Sequence, residues 1–304
     1  MGATRCGRKR NDSSVGRRLG SEPMQRTSST EHVHPASLDL ERLSAHQILI
    51  RLHAGDRQAA RAVGRALSEL ALVAEAVALA LGAGGRLLYA GAGTAGRLGA
   101  LDAAECPPTF GVSPSRVVAL VAGGNAALRR SVEGAEDDAQ AGAAAVGRAR
   151  VGARDVLIGV SASGTTPFTL AAVREARRRG AITALVTSNP EAKARVDHRI
   201  VLDTGPELVA GSTRLKAGTA AKMALNLLST AAFIQLGAVH RGRMIDLRAS
   251  NAKLRRRAID TVVDLAGCTL PAARRLLSQT DFDVRAALER LGVLPERRAG
   301  RPRG

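Results

Sequence analysis

The chain has 304 residues, 45% of them apolar, with 2% aromatic residues, no Trp, three cysteines and a formal net charge of +18. This composition supports a packed core, while the scarcity of aromatic rings removes the stacking platforms of a single-strand nucleic-acid binder. Cys6, Cys106 and Cys268 are few and far apart, which excludes a disulfide framework and a cysteine zinc site and fits a reducing cytoplasm.

The charge is concentrated at the ends. Residues 1–29 hold seven basic and two acidic side chains, and residues 296–304 hold four and one, which leaves +10 for the body between them. Both ends read as solvated segments, a disordered basic arm over 1–29 and a basic tail over 296–304, and no nucleic-acid partner is expected. Patterned sequence begins only near Thr30, so Met24 is a candidate alternative start. No apolar stretch follows Arg17-Arg18, and no run reaches the roughly 18 apolar residues of a membrane span, so no membrane partner is expected either.

Apolar residues at helical spacing predict helices over Leu40–Leu52 and Asp56–Leu81. From Arg86 the period changes. Short apolar runs at Leu87–Ala90, Val117–Ala122, Val156–Val160, Ile182–Thr187 and Arg199–Leu202 alternate with helical stretches near Ala126–Arg150, Phe168–Arg179, Pro190–Val196 and Lys216–Leu236. Such alternation is the mark of an α/β fold with a parallel five-stranded sheet flanked by helices, expected over residues 30–240. Beyond Gly237 the pattern is helical only, over Ala249–Leu265, Leu270–Gln279 and Asp283–Leu291, a small C-terminal helical subdomain spanning 241–295.

The most informative stretch is Leu87–Phe110, LLYAGAGTAGRLGALDAAECPPTF, a buried strand feeding a glycine-rich turn and a helix that Pro107-Pro108 should cut short. Gly91, Gly93 and Gly96 let backbone approach an anion, and the first helical N–H groups supply donors. The turn matches the GxGxxG dinucleotide fingerprint, but no crossover helix of full length follows, and the next strand ends in Gly123-Gly124-Asn125 where the ribose-binding acid should stand. No cofactor is therefore expected. A second turn of related character, VSASGTTP, brings Ser161, Ser163, Thr165 and Thr166, and a third, GSTRLKAGT, brings Ser212 and Lys216 to the start of a long helix. Each turn alone is equally a helix cap, but three at strand ends, with Thr94 in the first, point to a held phosphate.

Two carboxylates complete the picture. Glu105 sits between Ala104 and Cys106-Pro107-Pro108, where burial would raise its pKa toward that of a general acid. Glu136 lies in Glu133-Gly134-Ala135-Glu136-Asp137-Asp138, whose plainest reading is a solvated acidic helix face. The six histidines show no metal spacing, and no nucleophile elbow or Walker lysine is present, so acid–base work by carboxylates on a phosphorylated small molecule is the chemistry that remains, with no metal.

Together, GAGTAGRLGALDAAECPPTFG, SVEGAEDD, SASGTTP and GPELVAGSTRLKAGTAAKMALN closely resemble the N-acetylmuramic acid 6-phosphate etherase family of the sugar isomerase (SIS) fold group. The likeness runs from about Thr30 to Leu291, with TEHVHPASLDLERLS early and MIDLRASNAKL late. It implies cleavage of the lactyl ether of N-acetylmuramic acid 6-phosphate to N-acetylglucosamine 6-phosphate and D-lactate, without cofactor or metal. It also implies a homodimer, with Glu105 and Glu136 as catalytic carboxylates that share the proton transfers. Gly93, Thr94, Ser161, Ser163, Thr165 and Thr166 would hold phosphate, with Ser212 and Lys216 closing the sugar site. Three departures stand out: Ala95 where the family's turn carries Ser, His34 for an Asn, and HRGRMID for a GNLMVD-like stretch. The same fold also serves sugar-phosphate sensors without catalysis and aldose–ketose isomerases. Retention of both glutamates favours the etherase.

Overall fold

The computed structural model describes Gly2 and residues 32–247, 249 and 251–294. The basic arm and tail expected from the sequence, Met24 included, lie outside them, Gly2 apart.

Two helices open the described chain, α1 (Ala45–Arg65) and α2 (Leu67–Gly82). A capping box starts α1: Ser44 Oγ accepts from the Gln47 N–H at 3.3 Å, and Gln47 Oε1 accepts from the Ser44 N–H at 2.9 Å. The expected interruption after Leu52 is absent, because Gly55 continues the helix and lies against the aliphatic stem of Lys216. The break falls at Ala66 instead.

Five strands follow: β1 (Leu87–Gly91), β2 (Val117–Val121), β3 (Val156–Val160), β4 (Ile182–Thr187) and β5 (His198–Val201). They form one sheet in the order β2-β1-β3-β4-β5, every pair parallel. Strands β1 and β3 are buried along their whole length, as a sheet covered on both faces requires. On one face pack α2, α3 (Gly93–Phe110) and α6 (Lys216–Gln235). On the other pack α4 (Ala139–Arg148) and α5 (Pro167–Arg178). At the end of the sheet away from the glycine turns, buried Asp155 accepts from the Arg86 N–H at 3.0 Å and from Arg86 Nη2 at 2.7 Å, which ties β1 to β3.

Four local expectations are corrected. Helix α3 runs through Pro107 and Pro108 to Phe110, because tertiary packing holds its last turn: Cys106 is buried, and the Phe110 ring stacks on Phe233 at 4.4 Å. Gly111, left-handed at φ 68°, ends it, and a Cβ there would sit 1.6 Å from the Asp246 carbonyl. The helix expected over Ala126–Arg150 shrinks to a 3₁₀ turn at Gly124–Leu128 and to α4, with Gly134 at φ 70° and the Asp138 cap between them. The acidic run is thus a turn, and Glu133, Glu136 and Asp137 share no helix face. Residues 190–196 are irregular, laying Ala192 where a Cβ on Gly164 would meet it at 2.5 Å. Finally, a hairpin, β6 (Val239–His240) with β7 (Arg243–Met244), precedes the C-terminal helices α7 (Ala252–Ala266), α8 (Leu270–Gln279) and α9 (Val284–Arg290). These helices have a core of their own around Val262, Leu277 and Leu288. Arg285, bonded to Asp246 at 3.0 Å and to the Gly237 carbonyl, joins them to the end of α6.

Candidate active site

In a parallel sheet of order 2-1-3-4-5 the order in which the chain adds strands reverses between β1 and β3, and the crevice beyond the carboxyl ends of those strands is where such folds bind ligands. The chain places both hydroxyl turns there. A cavity of about 290 Å³ opens at this point. Its floor is the start of α3 (Gly93, Thr94, Ala95), its wall the turn after β3 (Ser161, Ser163, Thr166), and its rim Glu136.

Each group is held by local structure. Gly91 and Gly96 serve the close crossing of β1 and α3, where a Cβ on Gly96 would lie 2.6 Å from the Gly91 carbonyl, so of the three turn glycines only Gly93 faces the cavity. The α3 N-cap is Ala92, which offers no side-chain acceptor, and the first N–H groups of α3 therefore remain donors to whatever fills the cavity. Ser161, 2% exposed, accepts from the Gly164 N–H at 3.1 Å and bonds Thr166 Oγ1 at 2.8 Å. The Phe168 N–H at the start of α5 donates to the Glu136 carbonyl at 3.0 Å, which pins the acidic turn to the same rim. Among the described residues, Glu136 is the only charged side chain in the lining. Neutral hydroxyls and backbone N–H groups would thus meet a phosphate.

Of the residues singled out from the sequence, Gly93, Thr94, Ser161, Ser163, Thr166 and Glu136 line this cavity, while Thr165, Ser212, Lys216 and Glu105 do not. Thr165 is exposed and spends its hydroxyl on Ser163 Oγ at 2.9 Å. Glu105 is exposed on α3, so the burial argued from its apolar neighbours in sequence fails: Cys106 turns inward, while Ala104, Glu105 and Pro108 are exposed. Lys216 is buried but faces a second cavity, where its Nζ donates to Gln58 Oε1 at 2.9 Å. The N-terminus of α6 is not open to ligand. The carboxylate of buried Glu207 accepts from the N–H groups of Lys216 at 3.1 Å and Ala217 at 2.9 Å. Thr187, Ser188 and Thr213 line the first cavity and were not singled out; the paired hydroxyls of Thr187-Ser188 at the end of β4 are the only signal that could have found the first two.

Behind α3 lies a buried carboxyl. Asp102 accepts from Tyr89 Oη at 2.7 Å, Asn226 Nδ2 at 2.7 Å and Ser229 Oγ at 3.0 Å. Burial pushes its pKa up, against the lowering pull of these donors, and the same enclosure raises the Tyr89 and Cys106 values. The network bonds α3 to β1 and α6.

Fold and cavity together define the class: a SIS-type α/β protein with a hydroxyl-lined cavity at its switch point. The family model for the glucokinase regulatory protein N-terminal SIS domain matches residues 69–176. The chain belongs to the N-acetylmuramic acid 6-phosphate etherase family. It is 48% identical over 261 residues to the N-acetylmuramic acid 6-phosphate etherase of Jannaschia sp. (strain CCS1), covering 85% of this chain and 83% of that one. It is also 48% identical over 261 residues to the protein of the same name from Deinococcus radiodurans, covering 85% and 86%. Among solved structures, a phosphoheptose isomerase from Neisseria gonorrhoeae is 18% identical with a TM-score of 0.44, covering 64% of this chain and 98% of that chain.

Proposed function

We propose that the cavity holds N-acetylmuramic acid 6-phosphate in its ring-opened form and that the chain cleaves the lactyl ether. The aldehyde at C1 acidifies the C2 hydrogen. A base removes that proton, the C2–H electron pair forms a C2=C3 double bond, and the C3–O bond breaks as D-lactate leaves, protonated on its oxygen. Water then adds its oxygen to C3 and a proton to C2, which gives N-acetylglucosamine 6-phosphate. No external oxidant or reductant enters the balance.

The observation that carries this reading is the position of Glu136, among the described residues the single ionisable side chain on the rim of a cavity otherwise lined by hydroxyls, backbone and apolar groups. Thr94, Ser161, Ser163 and Thr166, with the α3 N–H groups, are assigned to the phosphate, and Thr165 and Ser212 to supporting the turns. Glu105 is assigned the second proton transfer, as a residue delivered from the other subunit of a homodimer. Three facts support that assignment. Glu105 is exposed, it is absent from the lining of its own cavity, and it shares the outer face of the α2–α6–α3 layer with exposed Leu72, Leu79, Leu101, Leu227 and Ile234. Exposed apolar side chains on three helices of one layer favour burial against a partner. The chemistry belongs to residues 30–240, with 241–295 as a separate helical unit. No described helix is long and apolar enough to cross a membrane, and the described cysteines, Cys106 and Cys268, are free thiols, which fits the cytoplasm.

The test is D-lactate release from N-acetylmuramic acid 6-phosphate by the purified chain, beside Glu136→Gln and Glu105→Gln. Each substitution is expected to lower the rate by about 100-fold or more, the range of acid–base catalysis. Release by Glu136→Gln at the wild-type rate would overturn the assignment.

A further inference from the structure

The second cavity lies across the start of α6 from the first: Ala217 and Gly218 line one, Leu215 and Lys216 the other. It measures about 280 Å³, and its polar wall consists of His34, Arg51, Asp56, Gln58, Glu207 and Lys216. Lys216 is 5% exposed, yet its ammonium makes one hydrogen bond, to the neutral Gln58 Oε1, and has no ion pair among the described residues. An ammonium has three N–H donors, so two remain for a ligand.

The surrounding charges are already engaged. Both Glu207 oxygens accept backbone N–H groups at the start of α6. Arg51 is bonded to Asp39, with Nη2 to Oδ2 at 3.1 Å, and Asp56 Oδ2 lies 3.4 Å from His53 Nδ1. His34 Nδ1 accepts the Ala36 N–H at 3.0 Å, so the neutral ring carries its proton on Nε2 and is a further donor. Burial draws the Lys216 pKa down while the Glu207 and Asp203 charges work against it. The site is also shaped for its lysine, since a Cβ on Gly55 would lie 2.9 Å from Lys216 Cδ. Glu207 and Asp203 act on this buried cation without a direct ion pair, so an anion in contact with its free N–H groups would be favourable.

We propose that this cavity is a carboxylate site, with Lys216 as its cation and His34 and Gln58 as polar walls, and that it receives a small 2-hydroxy acid. The identity of the acid rests on the etherase reading. The lactyl group of that substrate ends in a carboxylate, and among the described residues the sugar-phosphate cavity offers it no cation. Lys216, taken from the sequence as a residue of the sugar site, thus serves the leaving group instead.

Calorimetric titration of D-lactate into the full chain, with the first cavity filled by N-acetylglucosamine 6-phosphate, tests the proposal. Wild type is expected to bind saturably, and Lys216→Met, which keeps the stem and removes the charge, to raise Kd about tenfold or more. Should that variant not fold, His34→Phe, which leaves Lys216 in place, is expected to weaken binding by about threefold. Absence of binding by wild type, or a Kd unchanged by Lys216→Met, would overturn the proposal. A raised KM for N-acetylmuramic acid 6-phosphate in Lys216→Met would seat the carboxylate of the intact ether here, and an unchanged KM would make it a site for the released acid. Both outcomes support the site. Lactate release without lactate binding would end this proposal and leave the etherase reading standing, while binding without release would do the reverse.

Discussion

Ser161 illustrates how much one residue depends on its neighbours. Its hydroxyl accepts from Gly164 and bonds Thr166, so its orientation is set before any ligand arrives. That constellation was legible, because SASGTTP is a local turn whose hydroxyls bond one another. Asp102 was not legible: its partners Tyr89, Asn226 and Ser229 come from β1 and α6, up to 127 residues away. Its pH signature can be measured. Burial raises the folded-state pKa of Asp102 above its unfolded value, so the folded state holds this proton more tightly. The resulting stability is complete below the ordinary carboxyl value and is lost as pH rises through the raised one. Asp102→Asn has no such proton. Its urea midpoint relative to wild type should therefore shift in favour of the variant as pH rises from about 3 to 7. A constant difference across that range would contradict a buried, proton-binding carboxyl.

At the scale of elements, the contact between β1 and α3 positions the cavity floor. A Cβ on Gly96 would press on the Gly91 carbonyl at 2.6 Å, backbone against backbone, which no rotamer can relieve. Gly96→Ala is expected to destabilise the fold by about 1–3 kcal/mol, as overpacking does, and to raise the KM for sugar phosphate by moving Gly93 and Thr94. Urea unfolding checks the first effect and steady-state kinetics the second; an unchanged midpoint would refute the close crossing. The elements misjudged from sequence share one cause. Pro107 and Pro108 are helix breakers by local rule, but burial of Cys106 and the stacking of Phe110 on Phe233 outweigh a penalty of about 3 kcal/mol per interior proline. Apolar-looking stretches such as Ala126–Arg150 suggested a continuous helix, whereas Gly134 and the Asp138 cap divide it and bring Glu136 to the rim.

At the scale of the molecule, the proposed dimer makes a prediction that one protomer cannot. If Glu105 serves the partner's cavity, a heterodimer of Glu105→Gln with Glu136→Gln holds one intact site. Co-expressing the two inactive variants should then restore about a quarter of wild-type lactate release, since random pairing makes half of the dimers mixed and each mixed dimer has one of two sites intact. No rescue, with a dimer confirmed by sedimentation, would place Glu105 in its own subunit's chemistry.

The sequence by itself determined what neighbouring residues control. Five short apolar runs separated by helical ones specify a parallel sheet, and glycine- and hydroxyl-rich turns after β1 and β3 mark its ligand-binding end. The motifs around Glu105 and Glu136 identify the family. Only the tertiary structure decided which groups share a cavity. Lys216 Nζ meets Gln58, 158 residues earlier, instead of the phosphate turns, because α1 packs across the start of α6. Glu105 is exposed because α3 turns its apolar side to β1 and α6. Such placements depend on contacts between distant segments, whose energies come from the packed whole and leave no periodic trace along the chain.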